Sequence, residues 1–415
     1  MTRKPGFPLP PATMLVAGIF MCLALTVPAS GDDMATAITS GDASFGVRYR
    51  YEQVDQDGID DEARASTARL RFNYKTGKWN NWSGFFEFDH VFNVLLTDFN
   101  SGGGTSPNKA GEYPVVADPD GSDLNQLYLD YSSDPAWKWR IGRQRVLLDN
   151  QRFVGGVGWR QNEQTYDAFS LTTTAAKNTT LFYSYVGQVR RIFGQTVSAG
   201  HHNVDAHLLN AKVKLNDSWS VTPYAYYIDN KDVLAFSTST YGARIAGNIP
   251  VGKGKIALLG EFATQSDTGD APVDFDADYA HLTASWSNDG GLSIGVGFES
   301  LGGSSDPGEA FRTPLATLHA FNGWADKFLT TPDAGLDDSY ITVKYAAGKW
   351  KFTGVYHDFA EETGGDDIGT EFDVSAARKL SDRYGLLLKG AFFSSDSSAT
   401  LTDTDKFWLM LTASY

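Results

Sequence analysis

The chain of 415 residues holds a single cysteine, Cys22. It lies within an early apolar run, Met14 to Val27, that follows Thr2, Arg3 and Lys4 and ends in small residues around Ala29, Ser30 and Gly31. That layout predicts a secretory signal peptide over residues 1–31. Ile19, Phe20 and Met21 make a poor lipobox before Cys22. Removal of the leader leaves no thiol, which excludes a disulfide framework and thiol catalysis. No second apolar run of comparable length follows, and a membrane-crossing helix needs about 20 apolar residues. No GxSxG occurs, and His90, His201, His202, His207, His281, His319 and His357 are scattered, so a nucleophile with its base at hand is not in evidence. His201, His202, Asp205 and His207 fit no familiar ligand spacing, and the acidic run from Asp267 to Asp278 lacks the EF-hand pattern. The expectation is a protein without catalytic residues, metal or cofactor, and not an enzyme.

Positive charge is also short. The formal net charge is −15, and loss of Arg3 and Lys4 with the leader makes it −17. Six segments (53–62, 93–123, 265–278, 301–338, 361–370 and 394–405) together carry −25, which leaves +8 on the remainder. Acidic connections on a basic body argue against nucleic acid as a partner.

What is abundant is alternation. In the last ten residues Phe407, Leu409, Leu411, Ala413 and Tyr415 share one face, while Lys406, Thr412 and Ser414 fall between them; Trp408 and Met410 interrupt the polar side. The pattern recurs along the chain. Val47, Tyr49 and Tyr51 oppose Arg48 and Arg50; Leu70 and Phe72 oppose Arg69 and Arg71; Trp139 and Ile141 oppose Lys138 and Arg140; Ile294 and Val296 precede Glu299 on the other face. About 18 such strands are predicted, two of them, near Thr165 and Val221, ambiguous in phase. Short polar turns alternate with longer acidic or Gly-rich segments, and Trp79, Trp82, Trp137, Trp139, Trp219, Trp286 and Trp350 flank the short ones. This is the pattern of an all-β, transmembrane, antiparallel up-and-down barrel over 32–415, with long extracellular loops, an interfacial aromatic girdle and outer-membrane lipid around it. A lipid-facing Arg or Lys near the bilayer midplane costs about 2–4 kcal/mol, so the basic face points inward.

Two long stretches, IGRQRVLLDNQRFVGGVGWRQNEQTYDAFSL (141–171) and FESLGGSSDPGEAFRTPLATLHAFNGWADKFLTTPDAGL (298–336), together with YSYVGQVRRIFG (183–194) and VYHDF (355–359), resemble the alginate-export family of bacterial outer-membrane barrels. Arg145 departs from it, an acidic residue being expected after Gly142, Arg143 and Gln144. The resemblance implies 18 strands, passive export of an anionic polysaccharide and cooperation with periplasmic export components. The residues themselves supply a basic lumenal path: Arg48, Arg50, Arg69, Arg71, Arg140, Arg143, Arg152, Arg160, Arg244 and Lys389. Guanidinium groups bind carboxylates in bidentate fashion and, in rows, hand an anion from one weak site to the next. The alternative on the same fold is a general or small-solute uptake porin. A third use of the same side chains is purely structural, pairing with Glu52, Glu87, Asp89, Asp130, Glu261, Glu299, Glu371 and Asp373. Between Thr313 and Gly323 the sequence predicts a short helix, its body over Leu315 to Phe321, set in a lid or plug.

Overall fold

The computed structural model describes residues 33–396 and 401–415; the expected leader, with Cys22, lies outside them. A six-residue helix α1 (Met34–Thr39), capped by the Asp33 carboxylate accepting from Thr36 N–H at 2.7 Å, precedes the sheet. Eighteen strands then run antiparallel to their neighbours: β1 (Asp42–Gln56), β2 (Ala63–Lys75), β3 (Trp82–Asp98), β4 (Gly121–Tyr131), β5 (Trp137–Gln144), β6 (Thr165–Thr173), β7 (Thr179–Arg190), β8 (His201–Lys214) and β9 (Trp219–Asn230) make one half. The other half is β10 (Thr238–Val251), β11 (Gly254–Asp267), β12 (Asp276–Asn288), β13 (Leu292–Leu301), β14 (Leu336–Ala347), β15 (Trp350–Ala360), β16 (Asp367–Lys379), β17 (Tyr384–Ser395) and β18 (Thr404–Ser414). Each strand pairs with the next, and β18 pairs with β1 from Gly46↔Ser414 to Gln56↔Thr404. Phe45 and Tyr415 exchange backbone hydrogen bonds at 2.9 and 2.8 Å, so the last residue completes the seam. Closure leaves no unpaired strand edge, the condition for a sheet to sit in hydrocarbon.

The eight turns at one end are two to six residues long, and all six acidic segments lie at the other end. The lipid face is the one the alternation assigns: Leu282, Val296, Ile341 and Phe407 are exposed, while their neighbours His281, Glu299, Asp338 and Lys406 are buried. The ten tryptophans divide by location. Trp79, Trp82, Trp137 and Trp286 stand exposed beside the short turns, whereas Trp408 is buried in the lumen and packs edge-on to Trp159 at 5.7 Å. That explains the break in the polar face of β18.

The two strands of ambiguous phase become clear with the loops in place. On β9 the lumen side carries Thr222, Tyr224, Tyr226 and Ile228, all buried, with Phe153 from the β5–β6 loop 5.2 Å from Tyr224. On β6 Tyr166, Ala168 and Ser170 are the buried lumen-side set, and the irregularity is a bulge at Gly187 of β7, opposite Asp167 and Ala168. The lumen wall is apolar where a loop covers it, so polarity alone does not mark the inner face there.

Substituting Leu282, at the centre of β12 on the lipid face, by Arg is expected to destabilise the barrel by about 2–4 kcal/mol, measured by denaturant unfolding in lipid vesicles; an unchanged midpoint contradicts the assignment of faces.

Candidate functional site

Two of the long connections enter the barrel. The β5–β6 loop (145–164) and the β13–β14 loop (302–335) join each other through Gly155 N–H donating to Leu315 O at 2.8 Å and Thr317 N–H donating to Gln151 O at 3.0 Å. Those backbone bonds correct the predicted helix: Leu315 and Thr317 spend their polar groups on the neighbouring loop, and only a 3-10 turn, Leu318–Ala320, remains. A short helix gains too little from its own hydrogen bonds to compete with such a partner.

Buried ion pairs tie the loops to the wall. Arg160 donates to Glu52 on β1 at 3.0 Å and to Asp326 of the second loop at 3.0 Å. Arg152 meets Glu299 on β13 at 2.8 Å and Asn322 at 2.8 Å. Arg50 reaches Asp118, in the β3–β4 loop, at 2.9 Å, and its guanidinium lies 4.3 Å over the Trp159 ring. Among the described residues Arg48 has no carboxylate partner; it donates to Gln161 Oε1 and Gly158 O, each at 2.9 Å. Burial opposes the charge on Asp118, yet Arg50 and Arg160 hold its carboxyl below the usual value.

Two strands away on β17, Lys389 Nζ approaches His319 Nε2 at 2.6 Å and lies 3.6 Å over Trp324 and 4.3 Å over the same Trp159 ring. An ammonium donates only, so Nε2 accepts and Nδ1–H donates to Asp326 at 2.7 Å. The imidazole is therefore neutral; burial, against the pull of Asp326, pushes it down to about 3. Glu371 and Asp373 accept from the Ala325 and Trp324 amides at 2.7 and 3.2 Å.

Along β2 to β7 the cations keep contact with water. Side-chain exposure is 47% at Lys138, 25% at Arg145, 20% at Arg140 and 14% at Arg71, against 1% at Arg50 and 2% at Arg152. Arg143 and Arg190 share Asp167, at 2.7 and 3.0 Å, but the register sets Arg143 opposite Leu127 and Asp167, on the outer face with Ile141 and Phe169 and not on the lumenal path expected of it. Arg71 forms a bidentate pair with Asp89 at 2.7 and 2.6 Å, and Arg140 with Asp130 at 2.7 and 3.0 Å. Glu163, brought by the first loop, lies among Arg71 at 2.8 Å, Arg69 at 3.5 Å and Arg145. Burial alone would raise its carboxyl, but Arg71 and Arg145 hold it at about 2. Arg244 stands apart on β10, 3.4 Å from Glu261.

The ten basic residues named from the sequence thus fall into two sets. Arg48, Arg50, Arg152, Arg160 and Lys389 are buried against the loops; Arg69, Arg71, Arg140, Arg143 and Arg244 are part-exposed. Of the eight acids offered as wall partners, six pair with cations, and Glu371 and Asp373 serve loop amides instead. Sequence reasoning missed Asp118, Glu163 and Asp326, because alternation places strand residues and is silent about loops. Arg145, singled out as a departure, proves to pair with Glu87 and Glu163. Towards the long-loop end a cavity of about 710 Å³ lies over the two loops, with Arg191, Arg312, Lys327 and Lys406 on its lining against Asp326 and Asp333. Burial lowers Lys327 to about 8. Among the described residues no group of His, Cys, Asp and Glu is arranged to hold a metal ion.

Comparison with known proteins gives a family and a fold. The family model described as Alginate export matches residues 42–289. No protein of curated function matches the sequence. Among solved structures, Acinetobacter baumannii OccAB4 superposes with a TM-score of 0.72 at 11% identity, covering 92% of this chain and 99% of that one. Acinetobacter baumannii OccAB2 gives 0.71 at 14% identity over 92% and 99%. Pseudomonas aeruginosa OpdK, solved with vanillate, gives 0.67 at 12% over 91% and 99%. At these identities the likeness is one of fold, an outer-membrane porin barrel.

Replacing Arg152 by Met is expected to cost about 3–5 kcal/mol, since it strands Glu299 in a buried site; the double change Arg152→Met with Glu299→Leu should recover most of that, read from unfolding midpoints. The electrostatic contribution of the Glu163 ion pairs to stability is complete above the ordinary carboxylate value of 4.5 and is lost as the pH falls towards about 2. Conductance is therefore expected to be insensitive to this group between pH 8 and 5.

Proposed function

Since the chain belongs to the alginate-export family of outer-membrane porins, we propose that it is a passive channel for small anionic solutes, of the size of a single sugar acid or aromatic acid. The observation that carries this reading is the division of the lumenal cations by the two inserted loops. Half of them are consumed in holding the loops, Arg244 stands apart on β10, and solvated cations of β2, β5 and the start of the β5–β6 loop form a strip on one wall. The strip runs from Arg145 and Arg71 to Arg140 and Lys138 at the short-turn end. Each guanidinium there already faces a carboxylate with which a passing anion must compete, so none holds a solute tightly. One bulge fits the same purpose. The bulge at Asn125, opposite Glu87 and Phe88, turns both Asn125 and Gln126 of β4 onto Glu87.

The cavity at the loop end, at about 710 Å³, has the volume of a small-molecule site and a cationic lining. It suits capture of an anion before it enters the strip. Passage of an alginate-like polysaccharide, with periplasmic export components, is the second reading, and the family match favours it. The path along one wall between docked loops favours a compact solute over a polymer, whose successive residues would occupy every site at once.

Planar-bilayer recordings of the purified protein test the proposal. Anion selectivity is expected, with Arg140→Gln and Arg71→Gln each reducing it and a monouronate interrupting the current. Cation selectivity, or indifference to both substitutions, contradicts it.

A further inference from the structure

Glu163 is the one acid on the solvated strip that the barrel wall does not supply. Asp89 already holds Arg71 in a bidentate pair, and Glu87 already meets Arg145. Glu163 then enters from the β5–β6 loop and takes contacts from Arg71, Arg145 and, more distantly, Arg69. Three guanidinium groups from two elements of the chain converge on one carboxylate. Arg69 Nε, buried beside it, has no hydrogen-bond partner among the described residues.

The loop does not need Glu163 to stay where it is. Its immediate neighbours fix the backbone: Gln161 N–H donates to Asp118 at 2.6 Å, Asn162 Nδ2 donates to Ile192 O at 3.1 Å, and Gln164 Nε2 donates to Leu315 O at 3.0 Å. Arg48 adds a bond to Gln161 Oε1. A carboxylate set among guanidiniums, in contact with water and surplus to the anchoring of its own loop, has the form of a bound ligand.

We infer that Arg69, Arg71 and Arg145 form a carboxylate-binding site in the channel and that Glu163 is its built-in competitor, displaced by each solute carboxylate that passes. This rests on the reading of the protein as an anion channel. The exchange keeps the site occupied by one carboxylate at every stage, so no cation is left buried and unpaired and no solute binds without an opponent. Glu163 thereby sets how long an anion dwells, and Arg145 supplies one side of the site.

The test is solute blockade in single-channel recordings, with galacturonate as the probe, on wild type and three variants. Glu163→Gln removes the competitor and is expected to lengthen galacturonate dwell times by roughly tenfold, the scale of one charge-assisted contact. Glu87→Gln makes the same change in charge on the wall while leaving Glu163 in place, and should give a clearly smaller gain. Equal gains in the two variants overturn the inference, because general electrostatics then suffices; so does an unchanged or shortened dwell in Glu163→Gln. Arg145→Gln is expected to shorten the dwell several-fold, and no change there overturns the inference even should Glu163→Gln fail to assemble. A wild-type channel that is not anion-selective refutes the functional proposal instead, a result separable from the ratio between variants.

Discussion

Arg160 donates to Glu52 on the wall and to Asp326 on the second loop, and Lys406 reaches the same Asp326 at 3.0 Å. Both lumenal loops depend on this contact. Four charges are buried there together, and each would be expensive alone; the arrangement is stable only when every member is present. Around it the other ties follow the same rule: Arg152 with Glu299, Arg50 with Asp118, and His319 poised as a neutral relay between Lys389 and Asp326. A barrel of 18 strands leaves a lumen wide enough to need filling. Here charge pairing fills it on one side and leaves the other wet.

Much of the barrel was legible in the chain. Alternation in β1, β2, β5 and β18 gave the faces, because each residue there meets either lipid or water. The connections gave the direction of the strands, since acidic segments gather at one end. The places where legibility failed are physical too. On β9, Tyr224 and Tyr226 face a loop and not water, so the inner face reads as apolar. Between Thr313 and Gly323, local helix signals were real but weaker than the pairing of Leu315 and Thr317 with Gly155 and Gln151. Trp408 looked like an error in the pattern of β18 and is the floor of the Lys389 site, 5.3 Å from its ammonium.

The basic residues illustrate the limit most clearly. Sequence places Arg50 and Arg71 on the same face of neighbouring strands, with nothing to tell them apart. The fold makes one a buried anchor and leaves the other in contact with water, because Asp118 and Trp159 arrive over Arg50 from distant loops. A count of lumenal cations therefore overstates the path available to a solute. The informative quantity is how many remain solvated once the loops have docked.

Cysteine accessibility measures that quantity directly, and the expected mature chain offers a background free of thiols. A membrane-impermeant anionic thiosulfonate is predicted to modify Arg140→Cys, on the solvated wall, at least an order of magnitude faster than Thr67→Cys, which faces the lumen on β2 but is covered by Gln161 at 2.9 Å. Equal rates at the two positions would mean that the loops do not divide the lumen, and would contradict the account.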